Sequence, residues 1–134
     1  MQGVAGGKKM IKGIGLDLTD VERIACAVQN QHFLNRVYTS AEQSYCHSRG
    51  QGAAQSFAAR FAAKEAVLKA LGTGLRGGSL LDIEVINDEL GAPQVHLSGH
   101  WASLAADKGI SKIHLSVTHL KELAAAQCVV EGNT

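Results

Sequence analysis

Two acidic residues and a group of cations carry the chemical potential of this chain. Glu65 and Lys69 lie four residues apart with the acid on the N-terminal side, the favourable order for a pair on one helix face. Arg60 and Lys64 share the same spacing. The stretch that holds them, FAARFAAKEAVLKALGTG (57–74), has helical periodicity with Phe57, Phe61, Leu68 and Leu71 in one sector. Lys64 falls inside that sector, with Arg60 near one edge and Glu65 and Lys69 near the other. The opposite side is alanine at 58, 59, 62, 63, 66 and 70, small enough for close packing against a neighbour. Periodicity alone allows two readings, a solvated charged stripe or the wall of an anion-binding cleft. Under the second, a buried Lys64 must meet an opposite charge, because an unpaired buried cation is costly.

Far upstream, Asp17 ends the run Gly13-Ile-Gly-Leu-Asp17. On a strand, Gly13, Gly15 and Asp17 share one face, and two absent side chains suggest open space for a ligand or metal beside the carboxylate. The plainer alternative is an acid at a strand-to-helix turn, close to a helix N-terminus. Gly72-Thr73-Gly74 can present backbone amides to a phosphate or simply end the helix. No Gly-Lys-Ser/Thr follows it, so it is not a P-loop, and Gly13-Ile-Gly15 lacks the rest of a dinucleotide fingerprint. The pairs His96/His100 and Cys46/His47 match no standard zinc spacing.

These residues need elements to position them. The spacing predicts a strand over 10–18 and a helix over 21–29 opened by a Thr19-x-x-Glu22 capping box. Residues 33–38 are ambiguous. A second box, Ser40-x-x-Gln43, opens a helix ending near Gly50, and the long helix runs over 53–71 with Gly72 as its stop. A hairpin is expected from 81–86 and 94–97, then a helix over 100–108 behind Ser98, and strands over 112–118 and 123–130. The class is α+β: a small antiparallel sheet packed with one long helix and shorter ones. The length of 134 residues argues for one domain, 10–134, behind a Gly/Lys-rich leader, 1–9. With 46% hydrophobic and 19% charged residues the chain should fold, and a net charge of +1 gives no general case for nucleic acid or membrane surfaces. Cys26, Cys46 and Cys128 form no CxxC pair and read as reduced core thiols of a cytoplasmic protein. No apolar run reaches the roughly 18 residues of a transmembrane helix, and no secretory h-region is present.

GIGLDLTDVERI (13–24) and FAARFAAKEAVLKALGTG (57–74) together closely resemble the two signature segments of the holo-acyl-carrier-protein synthase family, the small single-domain type of 4′-phosphopantetheinyl transferase. FLNRVYTSAEQSYC (33–46), DIEVINDELGAPQVHLSG (82–99) and IHLSVTHLKELAAAQCVV (113–130) also look like the family, in order, so the likeness spans essentially residues 10–131. The resemblance implies transfer of phosphopantetheine from coenzyme A to a serine of apo acyl carrier protein, in support of fatty-acid biosynthesis. It implies Mg2+ held by Asp17 and Glu65, with Lys69 in the proton and phosphate chemistry. Glu65 becomes the candidate base, directly or through a water. Arg60, Lys64, Gly72, Thr73, Gly74, the Gly91–Pro93 turn and His119 correspond to segments lining the coenzyme site, and Arg23 to the helix that meets the carrier protein. It further implies a homotrimer with sites between subunits. Ser116-Val-Thr118-His119 departs from the family's usual Ser-x-Ser-His but keeps the hydroxyl. The competing class is a coenzyme- or phosphate-binding module without catalysis, which would not need Asp17, Glu65 and Lys69 together.

Overall fold

The computed structural model describes residues 7–133. Its centre is the helix α4, Ala53–Leu71, laid across a three-stranded antiparallel sheet. The sheet is formed by β1 (Lys9–Asp20), β4 (Ile110–His119) and β5 (Leu123–Asn133), with β5 in the middle. The alanines at 58, 59, 62, 63, 66 and 70 are all buried, as their small size invites. Contact is closest at β1. A Cβ on Gly13 would sit 2.0 Å from the Ala70 carbonyl oxygen, and one on Gly15 2.0 Å from that of Ala66. The space beside Asp17 is therefore filled by α4. The glycines serve helix–sheet contact, not the open ligand space expected from the strand pattern.

α1 (Val21–Ala27) follows β1 directly, α2 (Gln31–Val37) and α3 (Ser40–His47) follow it, and a 3₁₀ turn leads into α4. Both expected capping boxes are shifted. Asp20, not Thr19, caps α1, accepting from the amides of Glu22 and Arg23, while the Thr19 hydroxyl donates to Asp17. Thr39 caps α3 in a true capping box with Glu42, one residue before the expected Ser40/Gln43 pair. The ambiguous stretch at 33–38 is the body of α2, started by the Asn30 side chain, and its extended C-cap Tyr38. α4 ends at Gly72, whose φ of 82° is the left-handed C-terminal stop, and Lys108 donates to the Leu71 carbonyl there.

A hairpin of β2 (Ile83–Asn87) and β3 (Pro93–Leu97) forms a second, two-stranded sheet, and α5 (Gly99–Asp107) leads into β4. Ser98 stands at the start of α5 but makes no side-chain cap; its hydroxyl donates to Asp82. Of the expected leader, residues 1–6 lie outside the described residues, and Lys9 already pairs with Asn133 in the sheet. All three cysteines are free thiols; Cys46 and Cys128 are buried, whereas Cys26 is exposed rather than in the core. No helix among the described residues is long and apolar enough to cross a membrane.

Candidate active site

The end of β1 and one face of α4 bring Asp17, Glu65 and Lys69 together. The Lys69 ammonium donates to the Leu16 carbonyl at 2.8 Å and to Asp17 Oδ1 at 3.3 Å. The other oxygen of Asp17 accepts from the Thr19 hydroxyl at 2.8 Å. One of the three Lys69 N–H groups remains free, and the side chain is half exposed. Glu65 is half-buried and accepts no hydrogen bond among the described residues. Burial raises its pKa above the ordinary carboxylate range and the nearby Asp17 charge adds to this, while Lys69 and Arg23 pull it down. That influence also places Arg23, exposed on α1, in the neighbourhood of the carboxylates.

Glu65 borders a cavity of ≈ 500 Å³ and lines it together with Phe61, one turn earlier on α4. Phe33, Asn35, Arg36 and Val37 of α2 line it as well, and so do Leu75 and 78–81 of the segment after α4. No group of three or more His, Cys, Asp or Glu gathers among the described residues.

Arg60 occupies a separate place. Its guanidinium lies 4.2 Å over the Tyr45 ring, and its Nε is buried without a partner. It lines a smaller cavity of ≈ 250 Å³ with Tyr45, Asn87 and Asp88. Pro93 pairs with Asn87 in the hairpin, so the Gly91–Pro93 turn belongs to this second cluster. Five residues separate Arg60 from Glu65, which turns their side chains about 140° apart around α4. One face of the helix therefore carries Glu65 and Lys69, toward Asp17 of β1, and another carries Arg60.

Lys64 is not at any cleft surface. It is fully buried, and its three N–H groups go to Val37 O at 2.6 Å, Glu42 Oε1 at 2.8 Å and Leu80 O at 2.9 Å. Burial lowers its pKa, opposed by the charge of Glu42. The expectation that Lys64 lines the coenzyme site is thus corrected: no donor and no surface remain for a ligand. The charge it was required to meet is Glu42, which the misplaced capping box had hidden although Thr39-x-x-Glu42 is itself the motif. Gly72, Thr73 and Gly74 form a loop beyond the end of α4, Thr73 half-buried between two exposed glycines. His119 ends the edge strand β4 in register with Ala124, while Asp17 is on β1 in register with Ala126. All of β5 separates the two, about 10 Å across the sheet.

The 4′-phosphopantetheinyl transferase superfamily profile matches residues 13–128. The chain is 46% identical to the holo-[acyl-carrier-protein] synthase of Treponema denticola over 123 residues, 92% of this chain and 100% of that one. Among solved structures it is similar to the Bacillus anthracis holo-(acyl-carrier-protein) synthase in complex with CoA (3′,5′-ADP), with 38% identity, a TM-score of 0.77 and coverage of 92% and 98%. It is also similar to the Helicobacter pylori enzyme in complex with coenzyme A, with 31% identity, a TM-score of 0.76 and coverage of 87% and 98%. With its fold and the Asp17–Glu65–Lys69 group in the matched segments, this chain belongs to the 4′-phosphopantetheinyl transferase superfamily and, within it, to the holo-[acyl-carrier-protein] synthases.

Proposed function

We propose that this chain uses Asp17, Glu65 and Lys69 to transfer the 4′-phosphopantetheine group of coenzyme A to a serine of apo acyl carrier protein, releasing adenosine 3′,5′-bisphosphate. The convergence of two carboxylates and one lysine from β1 and α4 carries this reading. Phosphoryl transfer depends more on alignment and charge neutralisation than on covalent help from the protein. The serine hydroxyl forms a new bond to the phosphorus next to the pantetheine arm, and the bond to the bisphosphate leaving group breaks. Glu65 accepts the serine proton, directly or through a water. Its raised pKa suits it to that task, because a base is most effective when its pKa lies nearer the working pH. The free N–H of Lys69 is available to a phosphate oxygen, where it offsets developing negative charge.

The donor set fits magnesium. That ion takes oxygen ligands, typically one or two carboxylates completed by substrate phosphates and waters, and Asp17 and Glu65 supply such a pair. Held there, it would supply neutralisation of the pyrophosphate charge. The largely apolar ≈ 500 Å³ cavity beside Glu65 suits the pantetheine arm, which mixes methyl groups with amides. Arg60 and the Gly91–Pro93 turn suit the nucleotide end, and Gly72–Gly74 and His119 the phosphates.

These pieces face different directions on one chain. We assign the complete site to the junction of two subunits in a homotrimer, one supplying the Arg60 face and its neighbour the carboxylates. In support, Ile14, Leu16 and Leu18 form an apolar row on the sheet face away from α4 and are 68%, 63% and 68% exposed. Arg23 serves the carrier protein, as a cation beside the transfer site. Residues 10–134 form the catalytic unit, working in the cytoplasm. The test is direct: apo acyl carrier protein incubated with the chain, coenzyme A and magnesium should gain the mass of one phosphopantetheine. Coenzyme binding without that gain would favour a binding module instead.

A further inference from the structure

Lys64 and Glu42 are absorbed by no step of the transfer, yet among the described residues they form the one ion pair with both side chains fully buried. Both side chains are fully buried. Glu42 Oε1 also accepts from the Thr39 amide at 2.8 Å, and Oε2 from the Val85 amide at 2.7 Å. Thr39 in turn donates its hydroxyl to Glu84 at 2.6 Å. The pair thus fixes Lys64 Nζ against α3 and β2. From that fixed point Lys64 reaches two carbonyls, Val37 at the end of α2 and Leu80 in the 3₁₀ turn Leu80–Asp82. Val37 and Leu80 both line the cavity beside Glu65, one from α2 and the other from the segment that follows α4. Among the described residues, no other hydrogen bond joins α2 to the segment 75–81.

A buried ion pair is an uneconomical way to gain stability, since apolar replacements often do as well. What it provides here is a fixed distance between two segments that line the cavity. We propose that Lys64, anchored by Glu42, is a positioning residue for transfer: it sets the width of the cavity beside Glu65 and thereby the lie of the coenzyme's arm against the carboxylates. This rests on the assignment of that cavity to the arm. Lys64 touches no substrate; its neighbour Glu65 does the chemistry while Lys64 holds the channel that delivers the reacting phosphorus. Misplacement of a reacting group by about 1 Å can cost about a hundredfold in rate.

The test compares two ligands that differ only in the arm, coenzyme A and adenosine 3′,5′-bisphosphate. Lys64→Met leaves Glu42 charged and alone and can fail to fold, so Lys64→Met/Glu42→Gln is made beside it, neutral but without the tie between those segments. Folding is checked by circular dichroism, with binding and turnover measured well below the melting temperature. The expected result for the folded double variant is bisphosphate affinity unchanged within about twofold, coenzyme A affinity reduced about tenfold, and turnover at saturating coenzyme reduced about tenfold or more. Wild-type turnover and coenzyme affinity in that variant would overturn the clamp. Equal weakening of both ligands would also overturn it, showing a general structural role. If the wild-type protein bound coenzyme A no better than the bisphosphate, the assignment of the cavity to the arm would fall, and the clamp with it.

Discussion

The Glu65 carboxylate is half-buried and close to Asp17, so its ionisation opposes folding when no cation is bound. Its folded pKa lies above the unfolded one. The stability linked to its proton is therefore full below the ordinary carboxylate range and is lost as pH rises through the folded pKa. Glu65→Gln should melt a few degrees higher than the wild type at neutral pH in metal-free buffer, and the gap should close in acid. Thermal scans across pH with a chelator present check this, and a gap of the opposite sign would remove the electrostatic account of Glu65. Lys69 has a different job. Lys69→Ala should lower turnover by about a hundredfold or more, a typical cost of losing a charge-stabilising donor, while coenzyme affinity changes much less. Steady-state kinetics beside calorimetric binding would check it; weaker binding with unchanged turnover would reduce Lys69 to a binding group. Types and spacings single out Asp17, Glu65 and Lys69 as candidates and the family resemblance joins them into one site, but the place of Lys64 is not legible in that way. Its place in the apolar sector signalled that it needed a partner, and only the tertiary structure brings Glu42 of α3 across to it.

At the scale of elements, the α4–β1 contact is what sets the distance between the two carboxylates. Gly15→Ala puts a methyl group into the Ala66 carbonyl, and backbone on both sides cannot yield as a flexible side chain would. Overpacking typically costs about 1–3 kcal/mol, and this contact should reach at least the upper end. Denaturant unfolding reads the loss directly, and activity should fall with it because α4 is displaced from Asp17; a stable, fully active Gly15→Ala protein would contradict the packing. The long helix, the hairpin and the strands were readable because their periods are strong, and the helix has a glycine, Gly72, as its stop. The caps slipped by one residue because Asp20 stands next to Thr19, and Thr39 next to Ser40, so adjacent residues offer competing caps. The glycines of β1 were misread because absence of a side chain looks the same in sequence whether a ligand or a helix fills the gap.

Across the whole molecule, the row of Ile14, Leu16 and Leu18 looks outward from a sheet whose other face is the core. Alternation along β1 revealed this row but could not say which face met α4, since glycine and alanine contact leaves no hydrophobic signature on the buried side. If the proposed trimer forms through this row, Leu16→Glu should leave each chain folded but monomeric, with turnover falling in step. Sedimentation velocity beside the transfer assay tests this, and full activity in a monomer would place the complete site within one chain. The central claim is that transfer depends on the carboxylate pair joined by β1 and α4. It is tested most directly by turnover of Asp17→Ala and Glu65→Ala against magnesium concentration, with the fold checked by circular dichroism. The predicted result is a wild-type protein that loses transfer to a chelator and regains it with magnesium, beside folded variants that stay inactive at every concentration; wild-type turnover by either variant at saturating magnesium would contradict it.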